Sequence, residues 1–188
     1  MELECMADWH HSPLHRLGAD GAYIVTASTL NKKQIYTTSK KLAFLCSQIQ
    51  ELALHYNLEL EAWAAFSNHY HLIVRPHGTE EEFAMYFKHL HANLSRESNR
   101  WDATPGRKVW FQYRDTRLTN QKSYLARFAY VLRNPVKHGL VHHPEQYPYC
   151  SAGWFARNAR PAQLRMIESI KCDLVKIDDD FDVLPVLD

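Results

Sequence analysis

The order of strand-like and helix-like stretches constrains the fold of this chain more than any other feature. Four stretches are predicted to be strands, the first of them because it is rich in β-branched and aromatic residues. They are Gly21–Thr29, Leu58–Phe66, His69–Arg75 and Val109–Leu118. A short turn at Ser67 and Asn68 joins the second stretch to the third, so these two are predicted to form a strand–turn–strand unit.

Two amphipathic helices are predicted between these strands. Apolar residues recur at helical spacing from Ser39 to about Tyr56, which places them on one face of a helix. A second helix is predicted to begin after Thr79, because Thr79 and Glu82 have the spacing of a capping box. Pro105 and the glycine after it interrupt the chain beyond this helix.

A third helix is predicted after the last strand. Asn120 is its expected N-cap, and we expect it to end near Asn134 because Pro135 disfavours helical geometry in the preceding residue. The resulting order is β-α-β-β-α-β followed by an extra helix. It predicts an α+β fold of the ferredoxin-like (RRM-like) kind, an antiparallel sheet with helices on one face.

The length and the ends of the chain suggest one main domain. The 188 residues correspond to about one domain, and we expect an N-terminal extension over 1–20, the domain over 21–155 and a C-terminal extension over 156–188. The start of the chain lacks a basic segment followed by an apolar one, and no apolar run reaches the ~20 residues of a membrane span. The four cysteines are far apart. We therefore expect a cytoplasmic protein with free thiols and no membrane segment.

Charge is distributed unevenly along the chain. The formal net charge is +1, which by itself argues against nucleic-acid binding. However, residues 86–137 hold eleven Lys or Arg against three acidic residues, a net +8, whereas residues 171–188 hold two Lys and six Asp, a net −4. Aromatic residues lie among the cations, as in proteins that bind single strands, although a solvated basic face would give the same pattern. The candidate DNA-binding residues are Arg100, Arg107, Lys108, Arg114, Arg127, Arg133 and Lys137.

His69 and His71 form the first candidate site. Residues two apart on a strand point to the same face, so these imidazoles could share one divalent metal ion. The alternative is a pair of half-exposed strand histidines. The chain has a second such spacing at His89 and His91, but that pair lies in the predicted second helix, where positions two apart diverge by about 200°. A shared metal is therefore expected for the strand pair alone.

Tyr130 and Asn134 form the second candidate site. They are one turn apart in the third helix and hence neighbours. Tyr130 falls off the apolar stripe of this helix, on a face with Arg127 and Arg133. A tyrosine in that setting could be a nucleophile toward a phosphate, or an ordinary surface or boundary tyrosine.

These motifs together resemble a known family, the single-tyrosine HUH transposases of insertion-sequence-200-like elements. The resemblance is closest to their domesticated branch, the REP-associated tyrosine transposases. It covers roughly residues 21–154 and combines His-hydrophobic-His on a strand with a helical tyrosine four residues before Asn-Pro-Val. The matching stretches are Ala62–Val74, Gly106–Arg114, Tyr124–Val141 and Tyr147–Ser151.

The resemblance implies a site and a reaction. It makes His69, His71 and Asn134 ligands of a divalent metal, Mg²⁺ or Mn²⁺, and Tyr130 the nucleophile that forms a 5′-phosphotyrosine with single-stranded DNA beside a hairpin. The histidines and the tyrosine are then the catalytic set. Members of the family work as dimers or monomers, so a homodimer is one possible state. Two other functions stay open at this point: a DNA or RNA hairpin-binding protein without cleavage activity, and a metal-dependent hydrolase.

Overall fold

The structure, a computed structural model, describes residues 21–172, 175 and 180–187. The predicted extension over 1–20 and part of the acidic tail lie outside these residues. The described residues form four strands and five α-helices. In chain order these are β1 (Tyr23–Ser28), α1 (Ser39–His55), β2 (Leu58–Ala65), β3 (His69–Pro76), α2 (Glu80–Trp101), β4 (Arg114–Arg117), α3 (Gln121–Lys137), α4 (Ala152–Asn158) and α5 (Pro161–Ser169).

The four strands form one antiparallel sheet in the order β2-β3-β1-β4. This order, with α1 and α2 as the two crossovers, is that of a ferredoxin-like fold, so the predicted fold class is confirmed. β3 and β1 occupy the centre of the sheet, and the register pairs His71 with Thr26 and His69 with Ser28. The candidate histidines therefore lie in the middle of the sheet rather than at its edge.

Side chains on β3 alternate between two covered faces of the sheet. Tyr70 contacts His91 of α2, which places it on the face covered by α1 and α2. Its neighbour His71 contacts Tyr130 of α3. Because adjacent strand residues point to opposite faces, α3 covers the face opposite to α1 and α2. The helices thus lie on both sides of the sheet, with the extra helix over the histidine face.

Local sequence signals explain where the first two helices begin. The Thr38 hydroxyl accepts a hydrogen bond from Lys41 N at the start of α1. Thr79 and Glu82 form both halves of the predicted capping box at the start of α2. Within the part of the chain that the structure describes, no helix is both long and apolar enough to cross a membrane.

The fourth strand is shorter than predicted. The sequence predicts Val109–Leu118, whereas β4 spans Arg114–Arg117. Trp110 still forms an isolated bridge with Thr29 of the neighbouring loop, but its ring lies among Tyr36, Tyr70 and His91. Burial of this large side chain takes the first half of the segment out of regular pairing, and the ladder resumes with four exposed polar residues at the sheet edge.

The third helix is longer than predicted. It continues through Pro135 to Lys137 instead of ending near Asn134. A proline within a helix cannot donate to the carbonyl four residues earlier, here that of Val131. The Cys150 Sγ–H points at this carbonyl (3.8 Å) and at that of Leu132 (3.7 Å). This substitute donor compensates in part for the missing hydrogen bond, so the helix extends one turn further.

An ion pair between β2 and β3 lies beside α3. Arg75 donates from Nε (2.9 Å) and Nη2 (2.6 Å) to Oε1 of Glu61, whose side chain is 1% exposed. Burial raises the pKa of Glu61 to about 7, although the Arg75 charge acts in the opposite direction. Tyr124 of α3 lies close to the same carboxyl, and burial together with Glu61 raises its pKa.

This carboxyl makes the stability of the fold depend on pH. Since the pKa of Glu61 is higher in the folded than in the unfolded chain, its contribution is fully present below pH 4.5 and is lost as the pH rises through about 7. We expect Glu61→Gln to remove this dependence. In the native chain the free energy of unfolding should change by about 3 kcal/mol, because one unit of pKa shift corresponds to ~1.4 kcal/mol. Urea unfolding of both chains between pH 4.5 and 8 measures it. Parallel curves for the two chains would contradict the assignment.

Candidate active site

The candidate site begins with the two histidines of β3. His69 and His71 point to the same face, with ring centroids 4.9 Å apart, and both are fully buried. The expected pairing on one face is therefore what the structure shows, but the alternative of half-exposed histidines is wrong. These rings are buried because α3 and the chain around Phe66 pack over them.

Hydrogen bonds fix how the histidine rings are turned. His69 Nδ1 lies 2.9 Å from Asn68 Oδ1. The Asn68 amide nitrogen donates to the carbonyls of Lys32 and Asp182, so its oxygen faces the imidazole. His69 must then donate from Nδ1, and the lone pair of the neutral ring is on Nε2. Nδ1 of His71 lies 2.8 Å from the hydroxyl of Thr26, a group that can donate or accept a hydrogen bond.

Helix α3 places three polar side chains over the histidines. The ring of Tyr130 lies 5.6 Å from that of His71, and the ring of His138, just past the helix, lies 5.1 Å from that of His69. Asn134 is midway between Tyr130 and His138 at helical spacing, on the same helix face. It therefore faces the histidine pair, and it is fully buried.

The burial of Tyr130 corrects the sequence-based view of α3. Tyr130 is predicted to lie off the apolar stripe, whereas it is 5% exposed. The second half of α3 is buried nearly all round, because it packs on β2 and β3 on one side and near α5 on the other. The alternative of an ordinary surface tyrosine is therefore wrong, and Tyr130 is packed against the histidine face.

Lys137 is the cation beside the tyrosine hydroxyl. Its Nζ donates to Tyr130 Oη at 3.2 Å and lies 5.0 Å from the centre of the same ring. The sequence instead suggests Arg127 and Arg133 as neighbours of Tyr130. Arg127 donates to Ser123 within its own helix. Arg133 donates to the carbonyls at the end of α5, at Ile167, Glu168 and Ile170, and so caps that helix.

Three further candidate cations lie near the end of α2, away from the histidines. Arg100 is exposed and pairs with Glu97, and Arg107 pairs with Asp102. Lys108 is exposed in the loop before β4. The structure thus brings one of the seven cations, Lys137, to the tyrosine, and places these three on the surface near the end of α2.

Arg114 shares a row of the sheet with His71. The register pairs His71 with Thr26, and Thr26 with Arg114. Paired residues of antiparallel strands point to the same face, and neighbouring strands are about 4.8 Å apart. Arg114 is therefore on the histidine face, about 10 Å from His71 by strand spacing. It is exposed at the open edge of the sheet.

The second histidine pair lies on the other side of the sheet and is partly exposed. The His91 ring stacks on Trp110 at 4.8 Å, and its Nε2 lies 2.9 Å from the Tyr70 hydroxyl. Burial lowers the pKa of His91 to about 4, so this ring is neutral. His89 contacts Tyr56 instead. The two rings have different partners, as the helical geometry predicts.

The donor set around His69 and His71 fits a divalent metal ion. Two neutral imidazoles with Nδ1 held by hydrogen bonds are the usual form of histidine ligands, and the amide of Asn134 adds an oxygen donor on the facing helix. In the described residues no group of three His, Cys, Asp or Glu side chains is arranged to hold a metal. Any metal here would therefore rest on two imidazoles and an amide.

Sequence reasoning does not find all residues of the site. Asn68 stands next to His69, and His138 continues the helical spacing of Tyr130 and Asn134, so both carry a local signal. Thr26 carries none, because its contact with His71 depends on the register of β1 against β3.

Comparison with known proteins supports the fold. No protein-family model matches the chain, and no curated protein does. Among solved structures, the chain is similar to a REP-associated tyrosine transposase bound to a REP hairpin, with a TM-score of 0.57 and 19% identity over 89% of this chain and 93% of the other. A candidate transposase from Deinococcus radiodurans R1 has a TM-score of 0.41 and 16% identity over 52% and 78%. The first likeness agrees with the ferredoxin-like fold described above.

Proposed function

We propose that this protein is a single-tyrosine HUH enzyme that cuts and rejoins single-stranded DNA beside a hairpin, of the REP-associated kind. The observation that carries the proposal is the convergence of Tyr130 and Asn134 of α3 on His69 and His71 of β3. Packing of a hydrophobic core does not require a phenol, two imidazoles and an amide on one buried face. The solved neighbour bound to a REP hairpin has the same fold, which agrees with a hairpin as the partner.

In this proposal His69, His71 and Asn134 hold a divalent metal ion, Mn²⁺ or Mg²⁺. Imidazole ligands favour Mn²⁺ over Mg²⁺, which prefers oxygen ligands and retained water. The metal, when bound, supplies Lewis-acid polarisation and orientation of the scissile phosphate. Asn68 and Thr26 keep the two imidazoles turned toward it through their Nδ1 contacts.

Tyr130 then carries out the strand cleavage. Its Oη attacks the scissile phosphorus, a new P–O bond forms to the tyrosine, and the bond to the 3′ oxygen breaks. The phenol proton leaves and the departing 3′ oxygen gains a proton, so the products are a 5′-phosphotyrosine and a free 3′-OH. Because one phosphodiester is exchanged for another, a 3′-OH of a second strand can reverse the step without ATP.

Lys137 assists this step in the proposal. Its ammonium group lies 3.2 Å from Tyr130 Oη, where it would orient the hydroxyl and stabilise the negative charge that develops on it. The other cations, Arg100, Arg107, Lys108, Arg114, Arg127 and Arg133, are proposed contacts to the DNA backbone. For Arg133 this requires that its guanidinium bind a phosphate in addition to the carbonyls at the end of α5.

Replacement of Lys137 tests this assignment. We expect Lys137→Met to slow formation of the covalent adduct about tenfold, as expected for loss of a charged hydrogen bond of about 1.5 kcal/mol, with hairpin binding nearly unchanged. Lys137→Arg should restore most of the rate. Lys122→Met, on the first turn of the same helix and exposed, is the matched control. Equal rates for the Lys137→Met and Lys122→Met chains would contradict the role.

A denaturing gel tests the proposed function. The protein is incubated with a labelled single strand that carries a hairpin, in Mn²⁺ and separately in EDTA. The proposal predicts a metal-dependent band of protein linked to DNA and a released strand with a 3′-OH. Cut DNA without such a band would indicate a hydrolase, and bound but uncut DNA would indicate a hairpin-binding protein. Either of these outcomes contradicts the proposal.

A further inference from the structure

Phe111 is an exposed aromatic residue in the segment before β4. Of the Phe, Tyr and Trp residues in the part of the chain that the structure describes, it alone is exposed, at 48%. A single hydrophobic side chain on a surface is ordinary by itself. Its position relative to the histidines decides whether it can contribute to the site.

Two buried rings turn Phe111 toward the histidine face. Trp110 stacks on a ring of α2, and Tyr113 stacks on Phe87 of the same helix with centroids 4.2 Å apart. Because successive residues of an extended segment point to opposite faces of a sheet, Phe111 points away from α2. Its N–H donates to the carbonyl of Ser28 at 2.9 Å, which attaches this part of the segment to β1.

An extra residue brings Arg114 to the same face as Phe111. Three residue steps from Thr26 to Thr29 lie opposite four steps from Trp110 to Arg114. Such an insertion is a β-bulge, a feature that often re-aims a side chain next to an active site. Phe111 and Arg114 therefore point to one face although they are three positions apart in the sequence.

Phe111 is close enough to the candidate metal site to meet the same DNA strand. Its hydrogen bond places it beside Ser28, and Ser28 pairs with His69. Neighbouring strands are about 4.8 Å apart, so Phe111 is about 10 Å from His69 by strand spacing. Stacked nucleotides advance about 3.4 Å along a strand. The distance therefore corresponds to about three stacked nucleotides.

The strip between Phe111 and the histidines is open and carries positive charge. Helix α3 packs on β2 and β3, and Thr26 and Ser28 of β1 are only half-buried on this face. Arg114 is exposed beside them, whereas its neighbour Asp115 points to the opposite face. An aromatic ring and a cation along one open strip are the features that bind a single strand of nucleic acid.

We propose that Phe111 stacks on one unpaired base of the DNA strand, within about three nucleotides of the phosphate at the histidines, and that Arg114 contacts a phosphate beside this base. This inference rests on the proposed function, because it takes single-stranded DNA as the ligand. Of the aromatic residues among the cations of this segment, Phe111 is available for stacking, because Trp110 and Tyr113 pack against α2.

The affinity for a hairpin with an unpaired flank tests this contact. It is measured by fluorescence anisotropy on the full chain carrying Tyr130→Phe, so that no cleavage intervenes. We expect Phe111→Ala to lower the affinity about tenfold, as for the loss of one stacked base, and Phe111→Trp to retain it. Leu54→Ala is the matched control, because Leu54 is 49% exposed and lies on α1, on the other side of the sheet. It should leave the affinity unchanged.

Single abasic nucleotides in the unpaired flank identify the stacked base. One position within about three nucleotides of the cleavage site should lose affinity in the chain with Phe111. The same abasic nucleotide should cost nothing further in the Phe111→Ala chain, because the stacking contact is already absent. Abasic effects that are the same in both chains at every position would overturn the proposal, and so would equal affinities of the Phe111→Ala and Leu54→Ala chains.

These outcomes are distinguishable from those of the adduct assay. If the chain with native Tyr130 forms the covalent adduct and Phe111→Ala has no effect on affinity, the enzyme stands and the stacking contact does not. If binding depends on Phe111 but no adduct forms in Mn²⁺, the stacking contact stands and the cleavage function does not. A chain that binds no single strand would contradict both.

Discussion

Tyr130→Phe is expected to abolish the covalent adduct between protein and DNA. The substitution removes one oxygen, the proposed nucleophile, and keeps the ring that packs 5.6 Å from His71. Loss of a nucleophile costs far more than loss of a contact, so we expect adduct formation to fall by more than about a thousandfold. The measurement is the band of linked protein and DNA on a denaturing gel over a time course.

The fold and DNA binding should survive this change. The lost hydroxyl contact with Lys137 is worth about 1–2 kcal/mol at most, and hairpin affinity should stay within about twofold. Tyr124→Phe is the matched control, since it removes a hydroxyl from the same helix on the side of Glu61 rather than of the histidines. An adduct that persists in the Tyr130→Phe chain would mean that another residue is the nucleophile.

Replacement of His69 is expected to have the second largest effect, through the metal. We expect His69→Gln to reduce Mn²⁺-dependent cleavage by more than about a hundredfold, because second-layer changes alone cost 10–100-fold in metal sites. Glutamine is preferable to alanine here. His69 is fully buried and packs on Phe66, His71 and Phe181, so alanine would leave a cavity and destabilise the fold.

Metal binding itself is measured by titration calorimetry with Mn²⁺. The heat of binding should disappear in the His69→Gln chain and persist in a His91→Gln chain. His91 is the matched control because it too is a histidine of a His-x-His pair, but it lies on the opposite face against Trp110. Full Mn²⁺ binding by the His69→Gln chain would contradict the proposed ligand set.

The parts of the fold that depend on neighbouring residues in the sequence could be predicted. The capping box of Thr79 and Glu82 and the turn at Ser67 and Asn68 are local features, and the structure has both in their expected places. The alternation of strand residues likewise places His69 and His71 on one face. Since these features require no knowledge of distant contacts, the element order and the ferredoxin-like fold follow from them.

The structure differs from the prediction where a residue distant in the sequence decides the local conformation. Pro135 would end an isolated helix, but Cys150, fifteen residues further on, supplies a donor to Val131 and Leu132 and the helix continues. Trp110 is of a residue type that is common in strands, but its burial among rings of other elements interrupts the strand pairing. Tyr130 is buried, contrary to the prediction, because α5 and the sheet cover α3 from both sides.

The site shows the same division between local and distant information. Helical spacing groups Tyr130 with Asn134, and it could have added His138 and Lys137. It could not show that Lys137 rather than Arg133 meets the tyrosine hydroxyl, because the carbonyls that hold Arg133 belong to the end of α5. Phe181 and His69 are more than a hundred positions apart, so no local sequence pattern predicts that their rings stack.

Mass spectrometry of the covalent adduct identifies the residue that is linked to the DNA. Cleavage after Arg127 and Arg133 releases the peptide Phe128–Arg133, in which Tyr130 is the single tyrosine, whereas Tyr124 leaves in the preceding peptide. After reaction with a hairpin-bearing strand in Mn²⁺ and nuclease digestion, we expect a nucleotide 5′-phosphate on the peptide of Tyr130. A nucleotide on any other peptide, or cleaved DNA with no modified peptide, would contradict it.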